Sequence, residues 1–293
     1  MRITDNMQLN QAIEGQQRAS TNLYTLSAEA SSGKKIVNPS DSPAGYAQVV
    51  NTTAQIARMN ARQTTIATAT GDLTDADGAL SSAGDLLTQA KTLALEAANG
   101  NQDATSRAET AQQIDQIQNQ LLALANTKGA SGGYIFGGTA NGTAPFDSSG
   151  TFQGNAQTTH IEVADGVTAQ SNVSGADAFT AAGGIDVFAA LSAFSTALKA
   201  NDTTGINNAV TSMDQASGQV LAVRVNAGVL ESRMQSASTV ITNALTTSNT
   251  ALQSEQSADV ATVYSELSAA QTSYQAAISV NSQILNTLNS RFS

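Results

Sequence analysis

Apolar residues recur at alternating spacings of three and four from Met59 to Ala97: Met59, Ile66, Ala69, Leu73, Ala76, Leu80, Ala83, Leu87, Ala90, Ala94 and Ala97, with Arg62 as the one interruption. The same rhythm returns at Val220, Val223, Ala227, Leu230, Met234, Ala237, Ile241, Ala244, Ser248 and Ala251. A 3-4 spacing held this long specifies a helix with one apolar seam, built to lie along another helix. Two such helices toward opposite ends predict that the chain ends pair and that the middle is an excursion. Replacing Gly142 to Ala182 by a short linker should then leave at least part of the function in place.

The flanking segments are weaker. A first helix is predicted from Asp5 to Ser32, striped by Leu9, Ile13, Leu23, Leu26 and Ala30, with Gly33 where a C-cap glycine belongs. Pro39 and Pro43 forbid a helix through the next stretch, and Ser42-Pro43 supplies an N-cap and first helical residue for a second helix to Ala98. A wobble is expected near Gly71 or Gly78. A third helix, capped by Asp103 or Ser106, carries Ile114, Ile117, Leu121 and Leu124.

The pattern changes at Gly129. Twelve of the 22 glycines lie between Gly129 and Gly184, and no Lys or Arg occurs between Lys128 and Lys199, which marks a separate region. Tyr134-Ile135-Phe136 reads as a strand, and Thr158–Val163 with Val167–Val173 as a hairpin around Asp165-Gly166. Phe residues should form its core. Val187 to Leu198 then gives an amphipathic helix, followed by a short one around Ile206, Val210 and Met213. The long helix should run from about Gln215 to Gln253. A polar break at Ser254–Asp259 precedes a last helix with Val260, Val263, Leu267, Tyr274, Ile278, Leu285, Leu288 and Phe292.

The fold class is therefore mainly α with an inserted β domain, the long helices pairing as an elongated bundle or coiled coil. The expected segments are 1–42 (first helix and loop), 43–128 (helical core), 129–183 (β-rich outer domain), 184–214 (connecting helices), 215–253 (helical core) and 254–293 (last helix).

Composition narrows the function. The absence of Cys removes disulfide and thiolate chemistry. A net charge of −10 argues against nucleic acid, whose binding rests on Lys and Arg contacts to phosphate. No apolar run approaches the ~18 residues that span a bilayer, and Met1 to Gln17 lacks the apolar core of a cleaved secretion signal. The chain should stay in the cytoplasm or leave by a route without signal cleavage.

Catalytic and metal chemistry finds few candidates. His160 is the only histidine, so a triad or zinc site lacks partners. Asp72, Asp75, Asp77 and Gly78 share part of a calcium-loop pattern, but Leu73 takes the first-ligand place and the segment lies inside the strongest seam. Gly129–Gly138 fits neither a dinucleotide fingerprint nor a P-loop. Lys34-Lys35 reads either as a partner-facing patch or as cations complementing the end of the first helix. No cofactor, metal or catalytic residue is assigned.

One loop carries more information. Ser32-Gly33-Lys34-Lys35-Ile36-Val37-Asn38-Pro39-Ser40-Asp41-Ser42-Pro43-Ala44 resembles the N-terminal loop of the flagellin superfamily, through Gly33, Lys34, Asn38, Pro39, Ser40, Asp41 and Pro43. Its Asn-Pro-Ser-Asp-x-Pro form is closer to the hook–filament junction branch than to flagellin. Ser42 stands where an acidic residue is common. Tyr134-Ile135-Phe136-Gly137-Gly138-Thr139 with Pro145-Phe146 resembles the family's passage into its outer domain, Asp165 to Gly175 its hairpin, and Ala258 to Phe292 its closing helix.

The resemblance implies a rod-like, non-enzymatic subunit, exported through the flagellar type III apparatus to an extracellular position at the hook–filament junction. Leu9, Ile13, Leu23, Leu267, Ile278, Leu285 and Leu288 would pack between subunits. Implied partners are hook-associated protein 1, flagellin, copies of itself in a ring and an export chaperone. A short flagellin forming the filament is the alternative, and a cytoplasmic helical binding module is the alternative of another class. Self-polymerisation separates the first two.

Overall fold

The structure, a computed structural model, describes residues 2–99 and 102–292, without the side chains of 2–5, 288, 289, 291 and 292. Chain order is α1 (Arg2–Ser32), α2 (Pro43–Ala98), α3 (Ala104–Ala125), β1 (His160–Ala164), β2 (Val167–Gln170), α4 (Gly175–Phe179), α5 (Val187–Lys199), α6 (Thr203–Gln256) and α7 (Val260–Phe292). Two compact units result, one from Met1–Ala57 with Thr246–Ser293 and one from Arg58–Leu245. The fold is mainly α with a small inserted sheet.

In the second unit the seam residues of α2 from Met59 to Ala97 are all buried, and Val220, Ala227, Leu230, Met234 and Ile241 of α6 are buried with them. Val223, Ala237, Ala244 and Ser248 are half-buried. Polar bonds fix the antiparallel register of α2 against α6. Arg224 donates to Asp77 at 2.9 Å, Thr74 to Glu231 at 3.2 Å, and Gln63 to Ser238 at 2.6 Å. Asp103 caps α3 by accepting from the Ser106 amide at 2.8 Å. Helix α3 packs on α5, and Asp115 of α3 takes both the Ser195 hydroxyl and the Lys199 ammonium.

Two helix expectations change. Helix α2 runs through Gly71 and Gly78 without a break, because its seam stays in phase. The short helix expected around Ile206, Val210 and Met213 and the long one expected from about Gln215 to Gln253 are one, α6. Met213, Ala216 and Val220 keep a single buried face across the expected break, and the helix runs on through Gly218.

The inserted region holds one two-stranded sheet. His160 pairs with Gln170 and Ala164 with Val167, with a bulge at Val163 and Gly166 at φ +71° in the turn. Tyr134-Ile135-Phe136 is not a strand. Tyr134 makes a single bridge to Lys128, and the glycine pairs on either side turn the chain instead. Gly138 is obligatory there, since a Cβ would stand 2.0 Å from the Asn155 carbonyl oxygen.

The expected Phe core is present. Phe136 and Phe146 each meet Phe179 edge-on, at 5.5 and 5.7 Å between ring centres, and Phe146 lies 5.3 Å from Phe188 of α5.

Candidate assembly site

In the first unit α1 packs against α7, and the family-motif loop joins α1 to α2. Gly33, at φ +67°, ends α1 and donates its amide to the Glu29 carbonyl at 2.8 Å. The chain then runs beside the break between α6 and α7. Lys35 donates its amide to the Gln256 carbonyl at 2.8 Å, and Ala258 donates to the Gly33 carbonyl at 3.0 Å. The Gln256 side chain reaches the Ile36 carbonyl at 3.3 Å over the buried Ile36 side chain. The two ends of the sequence meet here.

Asn38-Pro39-Ser40-Asp41 closes a turn through the bond from the Asp41 amide to the Asn38 carbonyl at 3.1 Å, with Pro39 at the position where its fixed φ helps. The Asp41 carboxylate folds back onto the amides of Val37 at 2.9 Å and Asn38 at 2.7 Å. Ser42 then caps α2, accepting from the Gly45 amide at 3.2 Å, and Pro43 opens the helix. A Cβ at Gly45 would lie 2.6 Å from the end of the Ile36 side chain, which would have to shift to admit one. Gly33, Asn38, Pro39, Asp41 and Pro43 thus have local structural work. The side chains of Lys34, Lys35, Asn38, Pro39 and Ser40 face solvent.

The amides of Asn38 and Val37 hold the Asp41 carboxyl below the usual carboxylate range. A group lowered on folding contributes stability above its unfolded pKa of about 3.9, and loses it as pH falls through the folded value. Asp41→Asn should therefore weaken protection of the 37–46 amides at neutral pH. The difference from the parent should close below about pH 4 in hydrogen exchange followed across pH.

Along α1 and α7, Leu9, Leu23 and Leu267 are half-buried, while Ile13, Ile278 and Leu285 are exposed. The Leu288 side chain lies outside the described residues. Asn281 of α7 is buried and donates to the Gln16 amide oxygen of α1, so one polar side chain from each helix meets the other within the pair. A lone polar pair of this kind favours one helix register over slipped ones. Met7, Tyr24, Val260, Tyr264 and Val280 add to the exposed apolar surface of this unit.

The passage into the insert is built for packing. Ile135, Phe136, Gly137, Pro145 and Phe146 are buried, and Tyr134 lies under the Lys128 ammonium, 5.0 Å from its ring centre. Several residues that anchor the insert escaped the sequence reading. The Asn126 amide at the end of α3 makes both backbone bonds of Phe146, at 2.9 and 3.0 Å. Gln219 of α6 donates to the Ala178, Thr180 and Ile185 carbonyls and accepts from the Ile185 amide.

Arg62, the interruption in the α2 seam, binds Glu162 at 2.9 Å and Asp165 in the hairpin, holding the Asp165 carboxyl below its usual range. The sequence signal was that interruption. Asp72 and Asp75, the calcium-like pair, accept from the amides of Ser131 and Ala130 at 3.0 and 3.1 Å, while Asp77 pairs with Arg224. They tether the glycine-rich loop to α2. Among the described residues no group of three or more His, Asp or Glu could hold a metal ion. His160 is exposed on β1. Among the described residues no helix is long and apolar enough to cross a membrane.

A helical pair closed by this loop, with the insert bolted to the helices, has counterparts among known proteins. Residues 3–141 match the bacterial flagellin N-terminal helical region. That match takes in a little under half of the chain, its N-terminal part. It is 32% identical over 165 residues to flagellar hook-associated protein 3 of Escherichia coli K12, a match covering 56% of this chain and 52% of that protein. With the protein of the same name from Salmonella typhimurium it shares 31% identity over 148 residues, covering 50% and 46%. The matched stretches span about half the length of these curated relatives. A flagellar hook-associated protein of Vibrio parahaemolyticus has a similar fold, with a TM-score of 0.68 at 19% identity, covering 74% of this chain and all of that one.

Proposed function

We propose that this chain is a structural, non-catalytic subunit of the bacterial flagellum that joins the hook to the flagellin filament. The observation that carries the reading is the α1–α7 pair closed by the 33–43 loop, which leaves Ile13, Ile278 and Leu285 on its surface. Exposed apolar residues distributed along a helical pair suit helices that complete their burial only among neighbours. The similarity to proteins named hook-associated protein 3 favours the junction over the filament itself.

In this reading 1–42 and 254–293 form the inner helices, 43–128 and 215–253 the helical core, 184–214 the connection and 129–183 an outward-facing domain. Leu9, Ile13, Leu23, Leu267, Ile278, Leu285 and Leu288 lie between subunits. Hook-associated protein 1 binds on the hook side, flagellin on the filament side, and copies of the chain form a ring. The chain reaches this extracellular position through the type III apparatus, accompanied in the cytoplasm by an export chaperone.

Self-assembly is the direct test against a short flagellin. Purified chain seeded with filament fragments should not elongate into long filaments under electron microscopy. Long homopolymers would make it a flagellin.

A further inference from the structure

Helix α6 of the second unit carries an apolar ridge that the fold leaves uncovered. Leu221, Val225 and Val229, four residues apart, are 57%, 61% and 46% exposed. Val229 lies two positions, about 200° of helix rotation, from the buried Ala227, so the ridge points away from the core. Nothing charged sits in it. Arg224 and Glu231 turn toward α2, where they meet Asp77 and Thr74, and Arg233 flanks the ridge with no ion pair among the described residues.

The same unit carries a matching depression. An open groove of about 420 Å³ lies between α2 and α3, lined by Leu86, Ala123 and Leu124 together with Ser82, Asp85, Gln89 and Gln120. Leu86 stands nine positions, about two and a half turns, beyond Asp77, so the groove lies on the flank of α2 opposite α6. Asp85 forms no ion pair among the described residues.

The geometry points to a head-to-tail contact in which the α6 ridge of one copy seats in the α2–α3 groove of the next. This rests on the proposed ring of copies and names the surface that would form it. A row of side chains spaced by four residues forms a ridge, the shape that packs into a groove on a helical surface. At the edge of the contact, the free Arg233 of one copy has the free Asp85 of the next as its partner. Because ridge and groove lie on opposite flanks, the contact is heterologous and propagates from copy to copy.

Complementary charge selects a second copy as the occupant, since Arg233 flanks the ridge and Asp85 lines the groove, each without an ion pair among the described residues. Chains of net charge −10 repel each other, and an uncharged face is where that repulsion is least. The ridge offers a few hundred Å², below the ~800 Å² per partner of stable soluble complexes. Such a contact is weak for one pair and accumulates when every copy makes it twice.

The chain contains no cysteine, so disulfide trapping reads the contact cleanly. Val225→Cys/Leu124→Cys is expressed in a strain lacking the native chain, and flagella are oxidised and run without reductant. The expected result is a ladder of linked multimers, at least tenfold stronger than with Val225→Cys/Ser192→Cys, whose second cysteine sits on the exposed face of α5. Each single-cysteine variant should stay monomeric. Arg233→Asp and Asp85→Lys should each weaken the ladder severalfold, and their combination should restore it.

Monomer only, in flagella whose filaments are restored, would overturn the contact. A dimer from Val225→Cys alone would also overturn it, by showing ridge against ridge. If the unsubstituted chain restores no filaments, the proposed function fails instead. The contact is then judged on purified chain oxidised at millimolar concentration, where absence of the ladder overturns it.

Discussion

Leu87→Asp should unfold the second unit of this chain under conditions where the parent is stable. Leu87 is 0% exposed in the middle of the α2 seam, and a carboxylate placed there has neither water nor a partner. The loss of the Leu side chain alone is worth about 2–5 kcal/mol, and burial of an unpaired polar group adds to it. That total approaches the whole stability of an ordinary domain, ~5–15 kcal/mol. Ile241→Asp should act in the same direction from the partner helix, where the residue is 5% exposed. Leu95→Asp is the control, since Leu95 is 49% exposed on α2 and its replacement should change stability by no more than ~0.5 kcal/mol. Urea unfolding followed by circular dichroism checks all three. Leu87→Asp and Ile241→Asp variants that unfold with the parent would mean that the seams are not the core.

Excision of the insert should be nearly as damaging, which reverses the sequence-based expectation. Replacing residues 142–182 by a short Gly-Ser linker removes Phe146 and Phe179, and with them the ring contacts of Phe136 and Phe188, which remain. It also strands the Asn126 amide, which loses both bonds to Phe146, and Gln219, which loses the Ala178 and Thr180 carbonyls. Loss of a buried Phe costs about 3–5 kcal/mol, so the loss of two should exceed what the unit can absorb. The linker contributes little, since closure entropy grows only with the logarithm of loop length. A melt should show the excised variant without a cooperative transition for the second unit. A transition within a few degrees of the parent would restore the view of the insert as a detachable excursion.

The contrast shows where the sequence was readable. The seam residues of α2 announced their burial through spacing alone, because a helix converts a 3-4 repeat directly into one face. Gly33, Pro39, Ser42 and Pro43 announced their places because each restricts the backbone in its own way. Asn126 and Gln219 gave no such sign. Their bonds go to backbone groups 20 and 34–41 residues away, and backbone carbonyls and amides leave no mark in a sequence. Arg62 was visible as an interruption, yet its partners Glu162 and Asp165 are 100 and 103 positions distant. Asp72 and Asp75 matched part of a cation-binding pattern, whereas their carboxylates accept the amides of a glycine-rich turn. The Tyr134–Phe136 strand failed because its β-prone side chains are outweighed by the glycines that turn the chain on both sides.

The proposal that this chain joins hook to filament is tested most directly by removing it. In a strain without the chain, hooks should still form, and monomeric flagellin should accumulate in the medium, because no surface matches the hook to the filament. The unaltered chain should restore filaments, and Pro39→Ala/Pro43→Ala should fail to, since the loop that joins the two ends of the sequence is loosened. Electron microscopy of the cells with a flagellin blot of the medium reads every arm. Normal filaments in the strain without the chain would contradict the junction role, and missing filaments without released flagellin would identify it as the filament subunit.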